Sequence, residues 1–198
     1  MSATLAAFGF RPSFHNSGQI RPKAYTIATG FAANIFNGDP VKLVDAGVIQ
    51  LGTSDGTRTG TVDGISLLGI FAGVEYTDST GKPTVQNFWP TGTTATAITA
   101  YVYDDPETLF NVRYSNPGTP GSTTVQTAVG EECDWAPAES GSTSTGLSTT
   151  SLTVIMATSG QFQITGFSGD VADSLTDAYV TAIVRINEHQ YKASVNSI

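Results

Sequence analysis

A chain of 198 residues with a net charge of −8 and only 13% charged residues is long enough for one substantial β domain or two very small ones, and one is the expectation. Its 29 Thr, 18 Ser and 21 Gly, with Val, Ile and Tyr favoured over Glu, Lys and Leu, argue against a helical bundle, and 39% hydrophobic residues argue against intrinsic disorder. The acidic balance disfavours nucleic acid as a partner, the single Cys133 leaves no internal disulfide framework, and no apolar run approaches the roughly 20 residues that cross a bilayer.

Residues 1–38 hold Arg11, Arg21 and Lys23 and no acidic residue, a charge of +3, whereas the remaining 160 hold six basic and seventeen acidic groups, a charge of −11. Residues 1–10 lack a basic leader and soon meet Arg11-Pro12, so no signal peptide is read and a soluble protein made in the cytoplasm is expected. Pro12 and Pro22 remove N–H donors and restrict the residues before them, which blocks a continuous helix. Residues 1–24 therefore read as an extended arm. Phe8, Phe10, Phe14 and Ile20 lie among Gly, Ser and Asn and cannot bury one another there. Such an arm either lies on its own domain or reaches a neighbouring subunit.

Residues 25–198 read as a single β domain. Residues 25–28 are strand-like, and Asn37-Gly38-Asp39-Pro40 is a turn signal. Strands follow at 40–44 and 48–51, separated by the Asp45-Ala46-Gly47 turn, and a loop surrounds Asp55-Gly56. The apolar run 67–76 predicts a buried strand, and 85–89 resumes after a turn at 78–82. Residues 97–103 form another strand that ends at Asp104-Asp105-Pro106, with 108–114 expected to pair with it as a hairpin.

Farther on, 116–122 is a loop with two prolines and two glycines, and 140–150 is a Ser/Thr/Gly tract expected to be an exposed loop. Strands are predicted at 152–156, 161–167 and 179–186. Residues 170–176 suit a short helix or turn that Asp173 or Ser174 would cap. The fold class is all-β: a compact β-barrel or β-sandwich with an extended N-terminal arm, long loops and little helix. No sequence repeat recurs at a fixed period, which disfavours propellers and solenoids.

Catalytic chemistry finds little support. His15 and His189 have no partner at metal-ligand spacing. Cys133 sits between Glu132 and Asp134, which disfavours a thiolate. Asp104 and Asp105 are consecutive and point to opposite faces of an extended chain. Residues 131–134 lack the spaced Asp pattern of a calcium loop, Gly81-Lys82 has no phosphate-loop context, and no nucleophile elbow is present. No catalytic, cofactor or metal site is predicted. An enzyme reading would rest on Asp104 and Glu107, with one carboxyl raised in pKa inside a cleft, as in a small β-barrel hydrolase.

Several pieces resemble one family when read in order. They are Gly9-Phe10-Arg11-Pro12, the segment from Phe36-Asn37-Gly38-Asp39-Pro40 to Leu43, Gly69-Ile70-Phe71-Ala72-Gly73-Val74-Glu75-Tyr76, and Tyr103-Asp104-Asp105-Pro106-Glu107-Thr108-Leu109-Phe110. Ser144-Thr145-Gly146-Leu147-Ser148, Asp177-Ala178-Tyr179 and Arg185-Ile186-Asn187-Glu188-His189-Gln190-Tyr191 continue the likeness. In order and spacing these are similar to the capsid decoration (cement) proteins of tailed bacteriophages. The resemblance implies a structural virion protein without enzymatic activity or cofactor. It would sit on the exterior of the head, as a homotrimer at local threefold positions, binding the major capsid protein and stiffening the shell after expansion.

The expected mechanism is a clamp. Phe8, Phe10 and Phe14 would fill apolar grooves of an adjacent capsid subunit, and Arg11, Arg21 and Lys23 would pair with its acidic residues. Removing residues 1–23 would then leave a folded body. The rival within the virion is a tail or fibre component that binds a host receptor, with Trp89 and Trp135 stacking on sugars.

Overall fold

The computed structural model describes residues 7–54, 66–115, 127–136, 141–156, 160–168 and 179–192. The readings at 55–56, 116–122 and 170–176, with the caps Asp173 and Ser174, fall outside these residues. The chain opens with strands Arg11–Phe14 (β1), Lys23–Tyr25 (β2), Ile35–Phe36 (β3), Pro40–Leu43 (β4) and Ile49–Leu51 (β5). Gly69–Asp78 (β6), Pro83–Gln86 (β7), Phe88–Trp89 (β8) and Ala95–Tyr103 (β9) follow. Then come Leu109–Ser115 (β10), Glu132–Trp135 (β11), Gly141–Ser142 (β12) and Leu147–Ser148 (β13). The last are Leu152–Met156 (β14), Phe162–Phe167 (β15) and Tyr179–Ile186 (β16).

The architecture is all-β and sandwich-like, with two large sheets. One runs β1-β10-β14-β11-β15-β16, and the other β2-β9-β6-β4-β5 with β7 on β6. In the first, β16 also pairs with β10 from Phe110–Val184 to Ser115–Tyr179. β10 and β14 meet at one pair, Tyr114–Leu152, so the sheet is strongly rolled without a full ladder to close it. Alternation explains the strands directly. In β16, Val180, Ala182, Val184 and Ile186 are buried while the residues between them are only half-buried, the period of two of a pleated strand.

The buried apolar side chains form two clusters, and Leu51 packs on both. The run at the start of β6 lies between them. Leu67 and Ile70 belong to the first cluster, with Phe110, Trp135 and Phe162; Leu68 and Phe71 belong to the second, with Val41, Trp89 and Val102. A segment with a hydrophobic core on each side must be apolar on both faces, which is why this stretch shows no alternation.

Two expectations are corrected. β10 does not form a hairpin with β9, because both edges of β9 are taken: β2 pairs with it on one side (Lys23–Val102) and β6 on the other (Phe71–Val102). The chain instead crosses to the other sheet at residues 104–108, where the Thr108 N–H donates to the Asp105 carbonyl at 3.1 Å. Residues 141–150 are not an exposed loop throughout. They form the β12–β13 hairpin, and Ser148 and Thr150 are buried because their hydroxyls are hydrogen-bonded inside. Of the two courses open to the N-terminal arm, residues 7–14 take the first and lie on their own domain, where β1 pairs antiparallel with β10 through Arg11–Asn111 and Pro12–Phe110.

Candidate functional site

The candidate docking residues of the N-terminal segment divide by burial. Phe10 is fully buried and stacks on Phe162 with ring centroids 4.3 Å apart. Gly9, at φ +72°, turns the chain inward, and its N–H reaches the Thr150 carbonyl at 3.2 Å while the Phe10 N–H reaches Gly38 at 2.9 Å. Phe10 is therefore a core residue and is not available to a groove on another protein. Phe8 is half-buried beneath the Arg11 guanidinium, 4.7 Å from its ring centroid. Phe14, in contrast, is 53% exposed at the end of β1. Arg11, Arg21 and Lys23 are all exposed.

Between Phe14 and Lys23 the chain makes a loop whose ends rest on the crossover turn. Asp105 Oδ2 lies 3.2 Å from His15 Nε2, and Asp105 Oδ1 accepts the Glu107 N–H at 2.9 Å. The Asp104 carboxylate accepts the Tyr25 hydroxyl at 2.5 Å and lies 3.4 Å from the Lys23 ammonium. Tyr25 and Tyr191 hydroxyls meet at 3.0 Å, and Lys23 Nζ stands 5.4 and 5.5 Å from the two ring centroids. Burial, then the Asp104 hydrogen bond, raises the Tyr25 phenol well above its ordinary pKa, so it stays a donor. Lys23 has an acidic partner within its own chain.

The remaining titratable groups serve the interior. Asp39 is fully buried. Its carboxylate accepts the Phe36 N–H at 2.8 Å and the Thr150 hydroxyl at 3.1 Å, and the Ser148 and Thr150 hydroxyls lie 2.6 Å apart. Burial pushes its pKa up to about 6, against the lowering effect of these donors. This is the raised carboxyl an enzyme would need, but it is sealed from solvent. A cavity of about 210 Å³ is lined by Ala32, Ala33, Asn34, Phe36 and Thr91, none of which titrates.

His189 is also fully buried. Its Nδ1 accepts the Tyr191 N–H at 3.1 Å, and burial, with Lys192 nearby, lowers its pKa to about 4. Cys133 is buried, and burial followed by Asp134 and Glu132 pushes the thiol upward. In the acidic run, Glu132 accepts the Gly160 N–H at 2.8 Å and Asp134 the Gln161 N–H at 3.1 Å. Among the described residues no three His, Cys, Asp or Glu side chains stand together as a metal site.

Trp89 and Trp135 are fully buried, which overturns their reading as exposed platforms for sugars. The sequence reading treated Asp39 as part of a turn and did not single out Tyr25, Tyr191, Ser148 or Thr150. The contacts that join Asp39 to Thr150 and Tyr25 to Asp104 and Tyr191 span long stretches of chain, and no local spacing signals them. Comparison with family models, curated proteins and solved structures finds no match to this chain.

Proposed function

We propose that the chain is a structural virion protein that binds the outer surface of a phage capsid, as a trimer at local threefold positions, and stabilises the shell by bridging adjacent major capsid protein subunits. The observation that carries this reading is the exposure of Phe14 together with Arg11 and Arg21 on one N-terminal segment of an otherwise acidic β body. An exposed aromatic flanked by arginines is the residue set that anchors protein interfaces. The order of resembling segments along the chain supports the same reading.

In this arrangement Phe10 roots the segment in its own core. Phe14 enters an apolar recess of the capsid subunit, and Arg11 and Arg21 pair with its carboxylates. Phe8 supports the Arg11 guanidinium from below. Identical weak contacts repeated over one lattice act through high effective concentration, so no single contact has to be strong.

The test is occupancy of heads stripped of this protein, read by sedimentation and electron microscopy. Wild-type protein is expected to coat the heads, and the Phe14→Ser/Arg21→Glu double variant to leave them largely bare. Occupancy through Arg11 and Arg21 should also fall at high salt, because exposed ion pairs are screened. Equal coating by the variant would remove this surface from the interface. Heads left bare by the wild type would remove the capsid reading.

A further inference from the structure

Asp104 and Asp105 are neighbours in sequence yet hold opposite ends of one surface loop. Asp105 faces His15 at 3.2 Å at the start of the loop, and Asp104 faces Lys23 at 3.4 Å at its end. The two carboxylates diverge because consecutive side chains of an extended segment point apart.

The fastening at the Lys23 end has several parts. The ammonium lies over two tyrosine faces and beside a carboxylate, a combination that favours a cation. The Asp104 side chain is only 13% exposed, and its 2.5 Å bond from the Tyr25 hydroxyl is of the charge-assisted kind. At the other end, His15 Nδ1 accepts the Ser17 N–H at 3.1 Å, which leaves Nε2 to face the Asp105 carboxylate. The loop between is internally tied, with the Gly18 N–H on the His15 carbonyl at 2.8 Å and Gly18 at φ +74°.

We propose that Asp104 and Asp105 form a double latch that holds residues 15–22 in one conformation in the free protein. Phe14 and Arg21 then meet an acidic partner surface already in place, and Asp104 sets the affinity from behind without touching that partner. The second half of this inference rests on the capsid-docking reading. Its physical basis is that a loop ordered before binding loses less conformational entropy on binding.

The test begins on the free full-length chain, by amide hydrogen exchange at residues 16–21 in the wild type, Asp104→Asn and Lys23→Met. Loss of a partly buried charged contact should speed exchange there by roughly tenfold, while β16 stays protected. Lys23 has a 60% exposed side chain, so its variant folds even where Asp104→Asn does not. Unchanged exchange in folded variants would overturn the latch.

The same variants are then bound to stripped heads. Faster exchange with weaker occupancy supports the full proposal. Faster exchange with unchanged occupancy overturns the preformed-docking half and leaves the latch standing. Bare heads with wild-type protein overturn the docking reading, and with it that half, while the exchange measurement alone decides the latch.

Discussion

The Thr150 hydroxyl donates to the Asp39 carboxylate at 3.1 Å across a sequence separation of 111 positions. This bond lies where the N-terminal segment, the Phe36–Asp39 turn and the stretch that leaves β13 converge: Gly9 N–H bonds to the Thr150 carbonyl, Phe10 N–H to that of Gly38, and Ser148 N–H to that of Asn37. A buried carboxyl group is tolerated only when hydrogen bonds replace those it would make to solvent. Its position therefore ties three distant stretches to one geometry.

Asp39 and His189 act on stability in opposite directions over the same pH range. Asp39 titrates at about 6 when folded against an ordinary 3.8, so its contribution is full below about 3.8 and is lost as pH rises through about 6. His189 titrates at about 4 against 6.5, so its contribution is present above 6.5 and lost as pH falls through about 4. Between about 4 and 6 the folded chain holds an extra proton on Asp39 and the unfolded chain one on His189, and the two effects cancel. Urea unfolding should show Asp39→Asn gaining stability with rising pH relative to wild type and His189→Gln losing it, each by about 1.4 kcal/mol per pH unit. Parallel slopes in all three proteins would refute the assignment.

The N-terminal segment contributes to folding stability. A Cβ on Gly9 would lie 2.7 Å from Ser148 Cβ, at a φ of +72° that L residues rarely adopt, so Gly9→Ala should destabilise by about 2–4 kcal/mol. Phe10→Ala should cost about 3–5 kcal/mol through loss of the Phe162 stack and the cavity left behind. Chemical denaturation measures both. Losses below about 0.5 kcal/mol, the level of ordinary surface changes, would return the segment to the surface. For the same reason, removal of residues 1–23 is expected to destabilise the first sheet and not to leave an intact body.

Ala97 carries φ 48° at an exposed bulge in β9, where the register shifts between Glu75 and Thr77 on β6. The left-handed region is unfavourable for alanine and open to glycine, although glycine also gains freedom in the unfolded chain. Ala97→Gly should therefore raise stability by about 0.5–1 kcal/mol in thermal unfolding. A loss of similar size would show that the bulge does not strain this residue.

The Cys133 thiol, buried and held protonated by its surroundings, should resist iodoacetamide at mildly alkaline pH in the native protein. Its alkylation rate should follow global unfolding as urea is added. Rapid labelling without denaturant would show local opening of β11.

Strand positions were legible wherever one face meets a core. Residues 179–186 alternate as their burial requires. Partners were not. The pairing of β10 depends on which edges of β9 are already occupied, a fact set by β2 some eighty residues upstream. Phe10 and Phe14 look alike in sequence, but only Phe10 is carried inward by the Gly9 turn. The hydroxyls of Ser148 and Thr150 read as loop chemistry because their acceptor, Asp39, lies in the first half of the chain. At the candidate site, the exposed Phe14 and Arg21 were readable from the segment itself, whereas the Asp104 and Asp105 contacts depend on the crossover between sheets.

That crossover also sets an order of assembly. All strands from β2 to β9 are contiguous in the chain, so the second sheet can form as soon as residue 103 has emerged from the ribosome. The first sheet needs β1 together with strands as distant as β16, and its long-range pairings close last. β1 gains its partner β10 soon after residue 103, but Phe10 just before it has no Phe162 to stack on until β15 has been made. Nascent chains are thus most prone to wrong association between the completion of the second sheet and the arrival of β15 and β16, the interval in which a chaperone would have most effect.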